Sequence, residues 1–140
     1  MGDMSLTQMQ AIQRELQEHY KATWEGISPA IGRNKLLWMI GEAGEVIDIL
    51  KHHKPEDLME DSPVRHHLVE ELCDVLMYFN DVALCYDISP EELSRAYREK
   101  HEKNMKRWSN TQPQALLPTG PLPPPSTNIP QTKPKRRQLL

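Results

Sequence analysis

Two Ser-Pro pairs, Ser62-Pro63 and Ser89-Pro90, most constrain what this chain can fold into. A serine followed by proline is a typical helix start, because the hydroxyl caps backbone N–H groups and proline fits the first helical position. Apolar residues recur with a helical period after both pairs, and residues 1–109 show no strand-like alternation. The sequence therefore predicts an all-α fold, with helices over residues 5–24, 34–53, 63–86 and 90–108.

The first predicted helix opens with Ser5 and Gln8, spaced as in a capping box. Four helices joined by short polar loops imply a four-helix bundle. The second and third predicted helices carry apolar residues over much more than the usual single stripe. We therefore expect an oligomer in which a second subunit covers part of them.

Composition divides the chain near residue 110. Eight of the 12 prolines lie in residues 110–140, which contain no Asp or Glu and include the basic run KPKRR at 133–137. Such a segment is expected to be largely unfolded. We therefore distinguish a helical domain, residues 1–109, from a disordered, proline-rich and basic tail, residues 110–140.

The helical domain is acidic, with 13 basic against 20 acidic side chains and a net charge of about −7. This balance disfavours nucleic-acid binding. The chain has neither an apolar run of about 18 residues nor a signal-peptide pattern, which predicts a soluble cytoplasmic protein with no membrane partner. Cys73 and Cys85 lie about 18 Å apart on one predicted helix, too far to form a disulfide with each other.

The stretch GEAGEVIDILK, residues 41–51, places two acids on the apolar side of the second predicted helix. Glu42 and Glu45 project among Trp38 and Ile49 when the helix is drawn at about 100° per residue. A carboxylate in apolar surroundings is costly unless it is paired or bound to a cation. The pair therefore needs an explanation.

The third predicted helix repeats the arrangement. Glu71 and Asp74 are three residues apart and share an apolar face, whereas Glu70, Asn80 and Asp81 are expected to point away from it, toward positions that water can reach. If the two helices pack antiparallel, the two acidic pairs can meet.

Four converging carboxylates raise each other's pKa unless a cation lies between them. Oxygen ligands suit Mg²⁺, with Mn²⁺ as a substitute, better than Zn²⁺. A di-iron bundle would need Glu-x-x-His units, and the sequence has none. The alternative is that both pairs are ordinary solvated acids.

The fourth predicted helix ends with Lys100, Asn104 and Arg107 on one stripe. An ammonium, an amide and a guanidinium in a row match a polyphosphate. The alternative is that the cations only complement the helix dipole.

These residues together resemble the MazG-like all-α nucleoside triphosphate pyrophosphohydrolases. GEAGEVIDIL and EELCDVLMY, with 25 residues between Glu45 and Glu71, are similar to the family's ExxE, spacer, ExxD signature. The terminal stripe with Trp108 is similar to its K-x3-N-x2-R-aromatic segment. The resemblance covers about residues 5–108. It implies a Mg²⁺-dependent homo-dimer or homo-tetramer that hydrolyses nucleoside triphosphates to monophosphate and pyrophosphate. We expect deoxynucleoside triphosphates as substrates, and either housekeeping of the deoxynucleotide pool or removal of modified nucleotides as the biological use.

The resemblance also implies roles for individual residues. A general base that assists attack of water on the α-phosphorus would be Glu45 first and Glu70 second. Stacking on the base is implied for Trp24, with Tyr20 near it. At the second stacking position the chain has His52 where relatives have tryptophan, which leaves base selectivity open. Metal binding is implied for Glu42, Glu45, Glu71 and Asp74, and phosphate binding for Lys100, Asn104 and Arg107.

The roles of three further residues stay open. Trp38 suits a pocket or a subunit contact, although core packing is the more common fate of such a residue. Asn34 and Lys35 could reach the nucleotide, although capping explains Asn34 equally well. From another class of function, a non-catalytic interaction module would use the tail as a polyproline ligand for a partner's aromatic groove. A domain that binds nucleotide and metal without turnover, as a sensor, is a third hypothesis.

Overall fold

The computed structural model of the chain describes residues 2–109, the last two by their backbone only. The described residues contain no strand, so the prediction of an all-α fold is confirmed, with one short helix more than expected. The predicted tail, residues 110–140, lies outside the described residues. The helices are α1 (Leu6–His19), α2 (Gly32–His52), α3 (Pro55–Met59), α4 (Pro63–Cys85) and α5 (Pro90–Ser109).

The helix starts agree with the sequence signals. The Gln8 N–H donates to Ser5 Oγ over 3.3 Å, and Gln8 Oε1 accepts the Ser5 N–H at 2.8 Å, which completes the capping box. Ser62 and Ser89 each accept the backbone N–H of the third following residue, at 3.2 and 3.1 Å. Each contact satisfies a backbone donor that the first helical turn leaves unpaired.

Two helix boundaries differ from the prediction. The helix α1 ends at His19 rather than near residue 24, because Tyr20 leaves helical geometry and the Lys21 N–H bonds to the Glu18 carbonyl three residues back, at 3.4 Å. A separate turn follows, in which the Tyr20 carbonyl accepts the Trp24 N–H at 2.8 Å. The helix α2 begins at Gly32, so Asn34 lies within the first turn and does not cap it; its side-chain amide donates to Glu25 Oε1 at 3.2 Å. Both changes shape the loop between α1 and α2.

The short helix α3 lies in a charged segment for which the sequence predicted no helix. Pro55 occupies its first turn, and Asp57 Oδ2 accepts the Lys54 N–H at 3.3 Å. Leu58 is buried, and its carbonyl accepts a bond of 2.8 Å from Arg65 Nη1 of α4. Burial of one leucine and this bond hold α3 against the start of α4.

The helix α4 lies at the centre, with α1, α2 and α3 packed on it and α5 against α1. The helices α2 and α4 run antiparallel, because Lys35 pairs with Asp81 whereas Glu42, two turns later, lies beside Asp74, two turns earlier. Among the described residues, the buried apolar side chains are few: Ile49, Leu58, Ala83, Leu84 and Cys85.

The outer faces of α2 and α4 expose large apolar side chains. Leu37 and Ile40 are 59% and 57% exposed on α2, and Val69 is 54% exposed on α4. Gly41 and Gly44 have no atom within 4 Å of where a Cβ would lie, so this side of α2 has no close neighbour within residues 2–109. A single chain therefore leaves much apolar surface uncovered. None of its described helices has the length and apolar character needed to cross a membrane.

Candidate active site

Three of the four predicted metal-binding acids meet between α2 and α4. Glu42, Glu71 and Asp74 each place a carboxylate oxygen within 4.8 Å of the others, and all three are partly buried. The meeting follows from the i, i+3 spacing on α4 and the antiparallel packing of α2. Glu45 is exposed and lies outside this group of three, although it is near enough to affect the pKa of Glu42. We refer to Glu42, Glu71 and Asp74 as the acid cluster.

The acid cluster carries negative charge that the chain barely compensates. Burial raises the pKa of Glu42, and the charges of Asp74, Glu71 and Glu45 raise it further. His67 Nε2 lies 3.0 Å from Glu71 Oε1, and no lysine or arginine among the described residues forms an ion pair with the cluster. Carboxylate oxygens arranged in this way are the donor set that a hard divalent cation prefers.

A cavity of about 470 Å³ opens beside the acid cluster, between α1, α2 and α4. Glu42 and Asp74 line one end of it, and Trp24, Trp38 and Tyr78 line its walls. The volume falls in the range of small-molecule sites, and flat aromatic walls suit a planar ring. A ligand in this cavity can touch the acid cluster with one end and aromatic rings with the other.

The aromatic residues that the sequence suggested for base binding do not all line the cavity. Trp24 lines the cavity, and Tyr20 stacks behind it with ring centroids 4.6 Å apart and an interplanar angle of 19°. His52 is exposed near the end of α2, where its Nδ1 lies 2.8 Å from the Asp48 carbonyl oxygen, and it does not line the cavity. Trp38 lines the cavity while remaining 59% exposed, which fits both interpretations of this residue.

The floor of the cavity is a buried polar cluster around Asp81, which is 1% exposed. Gln13 Nε2 and Gln17 Nε2 each donate to one carboxylate oxygen of Asp81, both at 2.9 Å. Lys35 Nζ lies 3.7 Å from Asp81 Oδ2 and donates to Gln17 Oε1 at 3.5 Å. All four side chains line the cavity. We call these four residues the Asp81 cluster.

Two opposing effects act on Asp81. Burial raises the pKa of its carboxyl, while the bonds from Gln13 and Gln17 and the charge of Lys35 lower it. Burial also raises the pKa of Tyr78, and the charges of Glu42, Asp81 and Asp74 add to the rise. Tyr78 therefore lies within the field of both carboxylate groups and remains a neutral phenol.

The expectation that Asn80 and Asp81 point toward water is wrong, because α1 packs on this face of α4. Both residues are buried, at 3% and 1% exposure. The sequence contains a signal for this polar contact between α1 and α4. Gln10, Gln13 and Gln17 recur at helical spacing on α1, and all three are buried. A stripe of buried amides needs polar partners, and Asp81 supplies them for two of the three.

The remaining predicted residues lie elsewhere. Glu70 is exposed on α4, and Lys100, Asn104 and Arg107 are exposed on α5. No residue of α5 is among those lining the cavity in the described part of the chain. The Trp108 side chain lies outside the described residues. A single chain thus brings the acids and an aromatic cavity together, but not the predicted phosphate-binding stripe.

Comparison with known proteins gives no relative for this chain. No family model, no curated protein and no solved structure matches it.

Proposed function

We propose that this protein is a Mg²⁺-dependent nucleoside triphosphate pyrophosphohydrolase that releases a nucleoside monophosphate and pyrophosphate. The observation that carries the proposal is the acid cluster, whose charge no lysine or arginine of the described chain neutralises, beside a cavity with aromatic walls. The ExxE and ExxD spacing and the resemblance to the MazG-like family support the same reaction. Deoxynucleotide-pool housekeeping is the corresponding biological use.

The acid cluster suits a hard divalent cation. Glu42, Glu71 and Asp74 would hold it through oxygen atoms, and the raised pKa of Glu42 marks the electrostatic cost that the cation relieves. Glu45, one turn further along α2, would join them after a rotamer change. When bound, Mg²⁺ supplies Lewis-acid chemistry, since it neutralises phosphate charge and makes water more acidic.

The chain's own residues have distinct tasks in this reaction. The aromatic walls hold the base, which positions the triphosphate toward the acids. A water oxygen bonds to the α-phosphorus while the bond from that phosphorus to the α,β-bridging oxygen breaks, and pyrophosphate leaves with the bond's electrons. Glu45 is our first candidate to accept the water's proton because it is exposed and near Glu42, and Glu70 is the second.

Cationic side chains for the triphosphate would come from a second copy of the chain. Lys35, the one Lys or Arg among the described residues that line the cavity, already pairs with Asp81. The stripe formed by Lys100, Asn104 and Arg107 lies outside the cavity of its own chain. A homo-dimer, or a homo-tetramer built from dimers, would cover the exposed apolar faces of α2 and α4 and deliver this stripe to a neighbouring site.

The direct test is pyrophosphate release from the eight canonical nucleoside triphosphates, with MgCl₂ and again with EDTA. We expect release that requires Mg²⁺. The Glu71→Gln variant should lose at least about 100-fold in rate while its helical content stays unchanged, because a metal ligand is lost. Asp48→Asn, an exposed acid on α2, is the control and should retain activity. Full activity in Glu71→Gln would contradict the site assignment.

A second pair of variants separates the two candidates for the base. Glu45→Gln should slow turnover by about 100-fold or more, in keeping with the contribution of general acid–base catalysis. Glu70→Gln should have a much smaller effect, because Glu70 is exposed and does not line the cavity. The reverse order would assign the base to Glu70.

A further inference from the structure

We propose that the Asp81 cluster is the base-reading floor of the cavity, and that it selects bases bearing a carbonyl oxygen beside a ring N–H over bases bearing an amino group there. Lys35 and Gln13 would contact the base, and Asp81 would act as a positioning residue. This inference rests on the proposed function, because it takes the cavity ligand to be a nucleotide.

The position of the cluster supports contact with a ligand. Its four residues line the same cavity as Glu42 and Asp74, two turns away along α2 and α4. A ligand that places phosphates at the acid cluster and a ring between the aromatic walls extends toward Asp81. The Asp81 cluster is therefore the polar surface that the edge of the ring meets.

The hydrogen bonds within the cluster leave a surplus of donors. Each glutamine amide has two N–H groups and uses one on Asp81. Lys35 has three N–H groups and donates one to Gln17 Oε1, while its Nζ lies 3.7 Å from Asp81 Oδ2 as an ion pair. Within the Asp81 cluster, the acceptor left without a partner is Gln13 Oε1. Among all the described residues, Asn80 Oδ1 is the fully buried side-chain N or O atom without a partner, so Gln13 Oε1 keeps accessible surface. The floor thus offers several N–H groups and one carbonyl oxygen.

A surplus of donors favours a carbonyl-bearing base. A carbonyl oxygen has two lone pairs and can accept from Lys35 and an amide N–H together, whereas a ring nitrogen has only one. The neighbouring ring N–H can donate to Gln13 Oε1. An amino group facing Lys35 would instead place donors against donors and leave them unpaired, which is costly at a buried site.

Asp81 fixes this pattern without touching the base. A carboxylate accepts only, so it holds the Gln13 amide with Nε2 toward itself and Oε1 away from itself. Its Oδ2 also lies 3.7 Å from Lys35 Nζ, which holds this buried side chain at the floor of the cavity. With Asp81→Asn, the new amide can donate to Gln13 Oε1, which allows Gln13 to turn and present its N–H groups to the ligand. The preference of the Asp81 cluster for bases bearing a carbonyl oxygen should then weaken.

The test compares uridine and cytidine triphosphates, ribo- and deoxyribo-, which differ in a carbonyl oxygen and ring N–H against an amino group and ring nitrogen. We expect kcat/KM for the uracil nucleotide to exceed that for the cytosine nucleotide by at least about tenfold in the full chain. In Asp81→Asn the ratio should fall to within about threefold of one. A purely structural role for Asp81 would lower both values and leave the ratio unchanged, which would overturn the proposal.

Two glutamine variants keep the test independent of the folding of Asp81→Asn. Gln13→Met deletes the acceptor with a side chain of similar length, and it should also remove the preference. Gln10→Met is the matched control: Gln10 lies on the same face of α1 and is buried, but it bonds to the Ile88 carbonyl and does not line the cavity. Gln10→Met should retain the preference. Equal ratios in the two methionine variants would overturn the proposal.

A binding measurement separates this inference from the proposed function. Trp24 and Trp38 line the cavity, so their fluorescence should report on binding of uridine and cytidine monophosphates without turnover. Absence of turnover with tighter uridine binding would reject the hydrolase and keep the base-reading floor. Turnover in which the ratio of kcat/KM for the uracil nucleotide to that for the cytosine nucleotide is one or below would keep the proposed hydrolase activity. It would reject the role of the Asp81 cluster in base selection. Absence of binding by either monophosphate together with absence of turnover would reject both.

Discussion

Glu42 and Asp74 of the acid cluster line the same cavity as the Asp81 cluster, and the two clusters handle negative charge in opposite ways. Both oxygens of Asp81 accept an amide N–H at 2.9 Å, and Lys35 lies 3.7 Å from the carboxylate. The three carboxylates of the acid cluster lie within 4.8 Å of one another, and His67 is the group that bonds to one of them.

The two clusters differ in where the compensating positive charge comes from. Within the Asp81 cluster Lys35 supplies it, so the carboxylate can hold its neighbours in fixed orientations. Burial raises the pKa of Glu42, and the charges of Asp74, Glu71 and Glu45 raise it further. The acid cluster is the proposed metal site because a cation from solution would supply the positive charge that the described chain does not supply there.

The largest expected change in stability comes from removing the carboxylate of the Asp81 cluster. Asp81→Ala leaves Lys35 buried without a charge partner and should lower the free energy of unfolding by about 3–5 kcal/mol. Urea unfolding, followed by circular dichroism, measures the change. The double variant Lys35→Met, Asp81→Leu removes both charges and should recover most of the loss. A double variant as unstable as the single one would show that packing, not charge pairing, dominates at this cluster.

The next effect tests whether the acid cluster needs a cation. Mg²⁺ at about 100 times its Kd should raise the free energy of unfolding by about 2.7 kcal/mol, because it binds the folded chain alone. Asp74→Asn should lose this stabilisation. Asp48→Asn, on the exposed side of α2, should keep it. Equal stabilisation of both variants would place the Mg²⁺ site outside the acid cluster.

The smallest effect concerns the pH dependence of the metal-free protein. The raised pKa of Glu42 means that the folded chain binds this proton more tightly than the unfolded chain does. The stabilisation that protonated Glu42 contributes should therefore be fully present below pH 4.5. It should be lost as pH rises through the raised pKa of the folded chain. At neutral pH, Glu42→Gln should stabilise the chain by about 0.5 kcal/mol or less, since it removes like-charge repulsion.

Thermal unfolding of the wild type and Glu42→Gln in EDTA across pH measures this contribution as the difference between the two proteins. The difference should shrink as pH falls, because the wild-type carboxyl becomes neutral like the amide. Addition of Mg²⁺ at neutral pH should reverse its sign. A difference that does not change with pH would contradict the assignment of an uncompensated carboxyl to Glu42.

Most of the fold and half of the site followed from local patterns. The serine caps at residues 5, 62 and 89 were correct because capping acts between residues three apart. The pairing of Glu71 with Asp74 was correct for the same reason. The end of α1 was misplaced, because the Lys21 N–H bonds to the Glu18 carbonyl, three residues back, and periodicity does not reveal this change in the bonding pattern.

The sequence by itself determined which residues share a helix face, because a period of about 3.6 residues fixes directions around each helix. It therefore determined the helical class and the alignment of the acids on α2 and α4. Only the tertiary structure decided what each face meets. Asp81 is buried because α1 brings Gln13 and Gln17 to it, and the stripe on α5 lies outside the cavity because α5 packs on α1. Burial depends on the neighbour that packs against a face, and helical spacing carries no information about that neighbour.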